Sequence, residues 1–218
     1  MLASLIGGRI APSFTHNWMV KQDPKAATPA SFDLVDRIAL AATAVALSAW
    51  VITPEAKWTP WLELAAGFAL AARFARWCGE KALREPLLWV LHLGYGWLSF
   101  GLLLLGFNSL ASMLPQTTAL HALTVGVIGT MTLAVMTRAS LGHTGRAHIV
   151  GPRTTTTYAL ITLAAVLRLL APLFGAHYYL VALSFAGAAW SVAFGLFALF
   201  YFGPLTGPRS SDEVSPPI

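Results

Sequence analysis

Two histidines bracket one long apolar run, HALTVGVIGTMTLAVMTRASLGHTGR at 121–146. An imidazole in or beside hydrocarbon is costly unless it binds a metal, meets a hydrogen-bond partner or lines a water-filled cavity. His121 and His143 therefore point to haem or copper chemistry, or to a polar cavity. On a uniform α-helix the twenty-two steps between them leave about 40° between their directions and a rise of ~33 Å. They cannot share one metal, so the run holds two sites, or one site and one structural histidine.

His92 follows Pro86 by six residues, roughly 9 Å into its helix, and is the most deeply placed histidine. Trp89, His92, Gly96 and Ser99 share a face, and Gly94 and Gly96 would admit a flat macrocycle or another helix to the backbone. His92 reads as a metal or haem ligand or as a hydrogen-bonded interior histidine. Arg168, in LRLLAP, is an intramembrane charge without an evident partner, by default a mark of function. It sits a few ångströms deeper than His121 and could hold a haem propionate bidentately or snorkel to the headgroups.

Met131 and Met136 offer soft sulfur to copper(I) or serve helix packing, and Thr124, Thr130, Thr132 and Thr137 are expected to bond back to their own helix. The exit LGHTGR at 141–146, with Arg138 and Arg146, could hold an anion or end the helix at its glycines. His16, His148 and His177 fall in loops or at span ends and read as solvated. No GxSxG, HExxH, P-loop or Rossmann pattern stands in a suitable context, so no catalytic residue is assigned and metal binding is the better supported chemistry.

The elements that must position these residues follow from composition. Of 218 residues 56% are hydrophobic and 11% charged, against about a quarter charged in soluble domains. The expected fold is all-α, a polytopic transmembrane bundle of about six helices at 38–52, 60–77, 86–106, 119–137, 155–174 and 178–202. Arg9, Lys21, Lys25 and Arg37 precede the first span, Arg73, Arg76, Lys81 and Arg84 follow the second, and Arg138, Arg146 and Arg153 follow the fourth, while Lys57 stands almost alone in the alternate loops. This places both termini in the cytoplasm and, with the basic residues distributed between spans, excludes a nucleic-acid partner.

One cysteine, Cys78, excludes an intramolecular disulfide and a thiolate metal site built by this chain alone. No cleavable leader pattern is seen, so the spans direct insertion. The division expected is a cytoplasmic segment at 1–34, with a proline-broken connector from residue 12, a membrane domain at 35–203 and a disordered cytoplasmic tail at 204–218. Thr154 to Thr157 are expected to cap the fifth span.

The run at 121–146, with PLLWVLHLGYGWL at 86–98 and GGRIAPSFT at 7–15, resembles the NnrS family of integral membrane proteins. The resemblance implies a multi-pass protein of the bacterial cytoplasmic (inner) membrane, containing haem and copper and associated with nitric oxide and nitrosative stress. It supplies a process more than a reaction. His92, His121 and His143 fall within the matched segments and are the candidate ligands it implies, with Arg168 expected to brace a haem propionate beside His121. The chain is similar to the C-terminal half of typical members, and one alternative is a half-length subunit that needs a partner chain supplying N-terminal helices to complete its site. The other alternative is a transporter or channel for a small solute or metal complex, lined by Arg168 and the histidines.

Overall fold

The computed structural model describes residues 1–25, 27–147 and 150–209, and every regular element among them is helical. α1 opens as a π-helical stretch, Ala3–Gly7, and continues over Gly8–Gln22. α2 spans Leu34–Ile52, α3 Thr59–Ala75, and α4 is a single turn, Gly79–Ala82. α5 spans Pro86–Ala111, and α6 is one rod, Gln116–His143, whose middle, Ala122–Gly129, is π-helical. α7, Pro152–Leu170, tightens into a 3-10 turn, Ala171–Phe174, before α8, Gly175–Thr206.

Among the described residues five helices, α2, α5, α6, α7 with its 3-10 turn, and α8, are long and apolar enough to cross a membrane. The protein is a polytopic helical bundle in a lipid bilayer. The sixth expected span is α3, shorter at 17 residues, with Glu63 and Arg73 both 1% exposed. Its charges turn inward, between α2 and α5.

α5 is central, packed on α3 at one side and α6 at the other, while α7 and α8 pair beyond α6. α8 shows the logic of a lipid-facing helix: Ala182, Ala186, Ala189, Ala193, Phe197 and Tyr201 form one buried stripe, and Phe185, Val192, Leu199 and Phe202 face outward. Spacings of three and four keep that stripe on one face, and its alanines admit α7 closely. Successive spans alternate in direction, so Arg73, Arg138, Arg146 and Arg153 share one end of the bundle, the basic end. The loops at 53–58 and 112–115 lie at the other.

Several boundaries differ from the sequence reading. α1 runs through Pro12 to Gln22, where a broken connector is expected; the carbonyl that Pro12 leaves without a helical donor is taken up by a guanidinium of α3. α5 extends to Ala111, and the turn is confined to a left-handed Ser112 and its neighbours. α7 begins at Pro152 after Gly151, without a side-chain cap, so the threonines lie inside its first turns: Thr157 bonds back to the Arg153 carbonyl and Thr154 pairs with the Tyr201 hydroxyl. α8 continues through Pro204 to Thr206, tied by Arg146, which donates to the Pro204 carbonyl at 3.1 Å, a cation at a helix C-terminus. Residues 210–218 of the expected tail, and His148, lie outside the described residues.

Candidate functional site

His92 is 4% exposed on α5. Its Nδ1–H donates to the Leu88 carbonyl, one turn back, at 3.1 Å, and its buried Nε2 has no partner among the described residues. That bond selects the tautomer whose Nε2 lone pair is open, the usual way a ligating imidazole is oriented. The ring stands 5.9 Å from Phe74 and edge-on to Trp77 at 6.3 Å. It borders a cavity of about 380 Å³ lined also by Phe74, Gly79, Glu80, Leu83 and Trp89. Gly79 keeps the space open, since a Cβ there would lie 3.2 Å from His92 Cδ2.

His121 repeats this device at the other end of the bundle: half-buried, it sets Nδ1 against the Thr117 carbonyl, again one turn back. Its turn, Gln116–His121, packs on α7, the helix of Arg168. Arg168 is half-buried and makes no hydrogen bond or ion pair among the described residues. His143 is exposed at the basic end of α6, and His16 and His177 are exposed as well. Among the described residues no three His, Cys, Asp or Glu side chains converge as a metal-binding group, so His92, His121 and His143 occupy separate places.

The equal-step geometry expected between His121 and His143 does not hold. The π-helical stretch follows His121 directly, so 100° per residue no longer relates their directions. π segments widen a helix and cluster at functional places. Here the widened stretch meets two indoles: a Cβ on Gly126 would lie 2.8 Å from Trp97, and one on Gly129 would strike the Trp190 ring, 2.7 Å from its Cη2.

The methionines and glycines divide by burial. Gly94 admits Met131, whose Sδ would lie 2.7 Å from a Cβ there, and the same side chain reaches Gly7 of α1. Gly96 meets nothing, and Met136 is exposed. Thr124 bonds back to its helix as expected. Thr130 and Thr137 are buried without partners, and the Tyr158 hydroxyl faces Thr137 without closing a hydrogen bond. At the LGHTGR exit, left-handed Gly145 ends the helix, with the Arg146 amide returning to the Leu141 carbonyl. Arg138 is held elsewhere, on the Leu87 carbonyl and over the Phe14 ring.

Sequence reasoning misses the most heavily bonded charge. Arg73 donates from Nε to Asp36 Oδ1 at 2.7 Å, from Nη1 to the Ser4 carbonyl at 3.0 Å and the Tyr95 hydroxyl at 2.9 Å, and from Nη2 to the Gly8 carbonyl. It thus joins α1, α2, α3 and α5, with Trp77 and Tyr95 flanking it. Arg76 extends the cluster to Asp33 and Asp36. Arg76 holds the Asp33 carboxyl down, from an ordinary 3.8 to about 2. Beside this cluster lies a cavity of about 1010 Å³ bordered by Arg9, His16, Phe32, Asp36, Arg73 and Trp77.

A family model described as NnrS protein matches residues 1–209. The chain belongs to the NnrS family. No curated protein and no solved structure matches it. For this NnrS chain, membership and fold agree with the resemblance carried by the segments at 7–15, 86–98 and 121–146.

Proposed function

We propose that this NnrS-family membrane protein binds haem, with or without copper, and acts in the response to nitric oxide at the bacterial cytoplasmic membrane. The observation that carries the reading is His92, whose Nδ1 is committed to the Leu88 carbonyl while Nε2 stays buried, unpartnered and beside a cavity. A second imidazole, His121, is anchored in the same way.

Among the described residues each imidazole stands without a set of other protein donors that would form a metal group. That donor set would suit haem, whose macrocycle brings its own nitrogen donors and needs few from the protein, better than copper, which draws several ligands from the protein. His121 would ligate haem near the bundle end opposite the basic end, with Arg168 directed to a propionate, and His92 would serve a second site. Haem supplies a metal centre for a diatomic ligand; the protein's part is to fix the imidazole tautomer and exclude water with Phe74, Trp77 and Trp89.

The test is the spectrum of the full chain, purified in mild detergent from haem-replete cells, oxidised, reduced and nitric-oxide-treated, with metal analysis on the same sample. A stoichiometric Soret band that moves with nitric oxide and is lost in His121→Ala or His92→Ala supports the reading and assigns the ligand. A colourless, folded protein overturns it. The transporter alternative predicts instead that His92→Ala alters flux and leaves the visible spectrum unchanged.

A further inference from the structure

Glu63 is an ionisable side chain inside the bundle with neither oxygen bonded among the described residues. It is 1% exposed, and neither Oε1 nor Oε2 has a hydrogen-bond partner among them. It lies one turn into α3 from Thr59, on the face that continues through Ala66 and Leu70 to Arg73. Every other acidic side chain near the bundle interior among the described residues is accounted for: Asp36 is ion-paired to Arg73, and Glu85 caps α5 at the Leu87 amide.

Among the described residues, the elements around α3 bring Glu63 no cation. α2 and α3 run antiparallel with Asp36 against Arg73, so ten residues further back along α3, Glu63 stands at the level of Ala46. The inner face of α2 is Asp36, Ala39, Thr43, Ala46 and Ala49, whose one charge is at the far end. From α5, Leu64 and Pro60 meet Gly106, and Gly67 meets Leu103. The titratable residues of α5, His92 and Tyr95, stand at the level of Phe74, and Arg73 is ~15 Å along α3 from Glu63.

An unpaired carboxylate in such a place costs several kcal/mol, whereas the neutral acid leaves only ordinary dipoles unpaired. The shorter way to water lies on one side. Glu63 is ~6 Å along the helix from its start, where Thr59, donating to the Thr53 carbonyl at 2.7 Å, adjoins the exposed loop of Pro54, Glu55 and Lys57.

We propose that Glu63 is a proton-binding site of the membrane domain, exchanging its proton through the Thr59 end of α3. The ligand is the proton itself, and the binding reaction is its transfer between water at the 53–58 loop and a carboxylate oxygen of Glu63. The Arg73–Asp36 cluster closes the other end of the same helix face.

Infrared difference spectroscopy on the full chain in lipid nanodiscs tests this, comparing wild type with Glu63→Gln at neutral pH. The expected result is a carboxylic-acid carbonyl band that disappears in the variant and shifts when the wild type is moved into D₂O. No band assignable to Glu63, or a band indifferent to D₂O, overturns the proposal. Labelling of the wild type by a hydrophobic carbodiimide, mapped by mass spectrometry, does not depend on the variant folding. Modification at residue 63 that falls as pH rises supports the proton site. Absence of modification, or protection by sodium or potassium at constant pH, overturns it, the latter in favour of a metal-cation site.

Discussion

Arg73 donates from Nη2 to the carbonyl oxygen of Gly8 at 3.0 Å, and that carbonyl is the one Pro12 deprives of its helical donor. The proline that should interrupt α1 thus creates the acceptor that docks α1 on α3. Gly8 is needed because a Cβ there would lie 2.6 Å from Arg73 Cζ. Exchanging glycine for alanine inside a helix ordinarily gains ~1 kcal/mol, but displacing a buried, paired guanidinium costs about 3–5 kcal/mol. Gly8→Ala is therefore expected to destabilise the protein, and Arg73→Gln and Asp36→Asn likewise. The double variant should lose less than the sum of its parts, measured by thermal unfolding in detergent; additive losses would show that the two side chains are not coupled.

The exposed neighbour of that cluster sets an acid limit. Asp33 accepts from Arg76 and from the Val35 amide, and its carboxyl is lowered from 3.8 to about 2. A lowered carboxyl contributes stability that is complete above its unfolded value and is lost as pH falls through the folded one. The melting temperature should therefore fall between about pH 4 and pH 2, and Asp33→Asn should flatten that part of the profile. High salt should weaken the dependence too, because the pair is exposed. An unchanged profile in Asp33→Asn would assign the acid limit to another group.

The glycines of α6 separate packing from permissiveness. A Cβ on Gly126 or Gly129 would strike Trp97 or Trp190, whereas Gly96, Gly187 and Gly195 have nothing within 4 Å. Gly126→Ala and Gly129→Ala are expected to cost about 1–3 kcal/mol by overpacking. Gly96→Ala, Gly187→Ala and Gly195→Ala should be neutral or stabilising by up to ~1 kcal/mol. Equal effects in the two groups would contradict the close approach of the indoles to the π-helical stretch.

How much of this was legible in the sequence depended on the range of the interaction. Apolar length placed α2, α5, α6, α7 and α8, and α3 within two residues at its C-terminus, because burial in lipid is a property of a continuous segment. His92 stood out because an imidazole amid apolar residues needs a reason that is local. Arg73 did not: the charge pattern groups it with Arg76, Lys81 and Arg84 as a loop residue, and its partners Asp36, Gly8 and Ser4 are distant in the chain. Glu63 was hidden similarly, one carboxylate near the start of a span that apolar content alone describes well. The π-helical stretch was invisible to a count in steps of 3.6, although Gly126 and Gly129 mark where two tryptophans press on α6.

The His92 cavity offers a test that leaves both imidazole and fold in place. Gly79 borders the ring, and a Cβ there would sit 3.2 Å from Cδ2, the carbon bonded to Nε2. The neighbour must give by a few tenths of an ångström, and the Nδ1 bond to Leu88 resists rotation of the ring. Gly79→Ala is therefore expected to disturb whatever Nε2 binds while changing stability by less than ~1 kcal/mol, since α4 is a single turn. Were Nε2 a ligand, the visible spectrum or metal content of the purified protein should shift in Gly79→Ala, and Gly79→Leu, which fills the cavity, should remove the His92-dependent signal at an unchanged melting temperature. A signal indifferent to both substitutions, yet lost in His121→Ala, would move the chemistry to the other end of the bundle and leave His92 a packing residue among Phe74, Trp77 and Trp89.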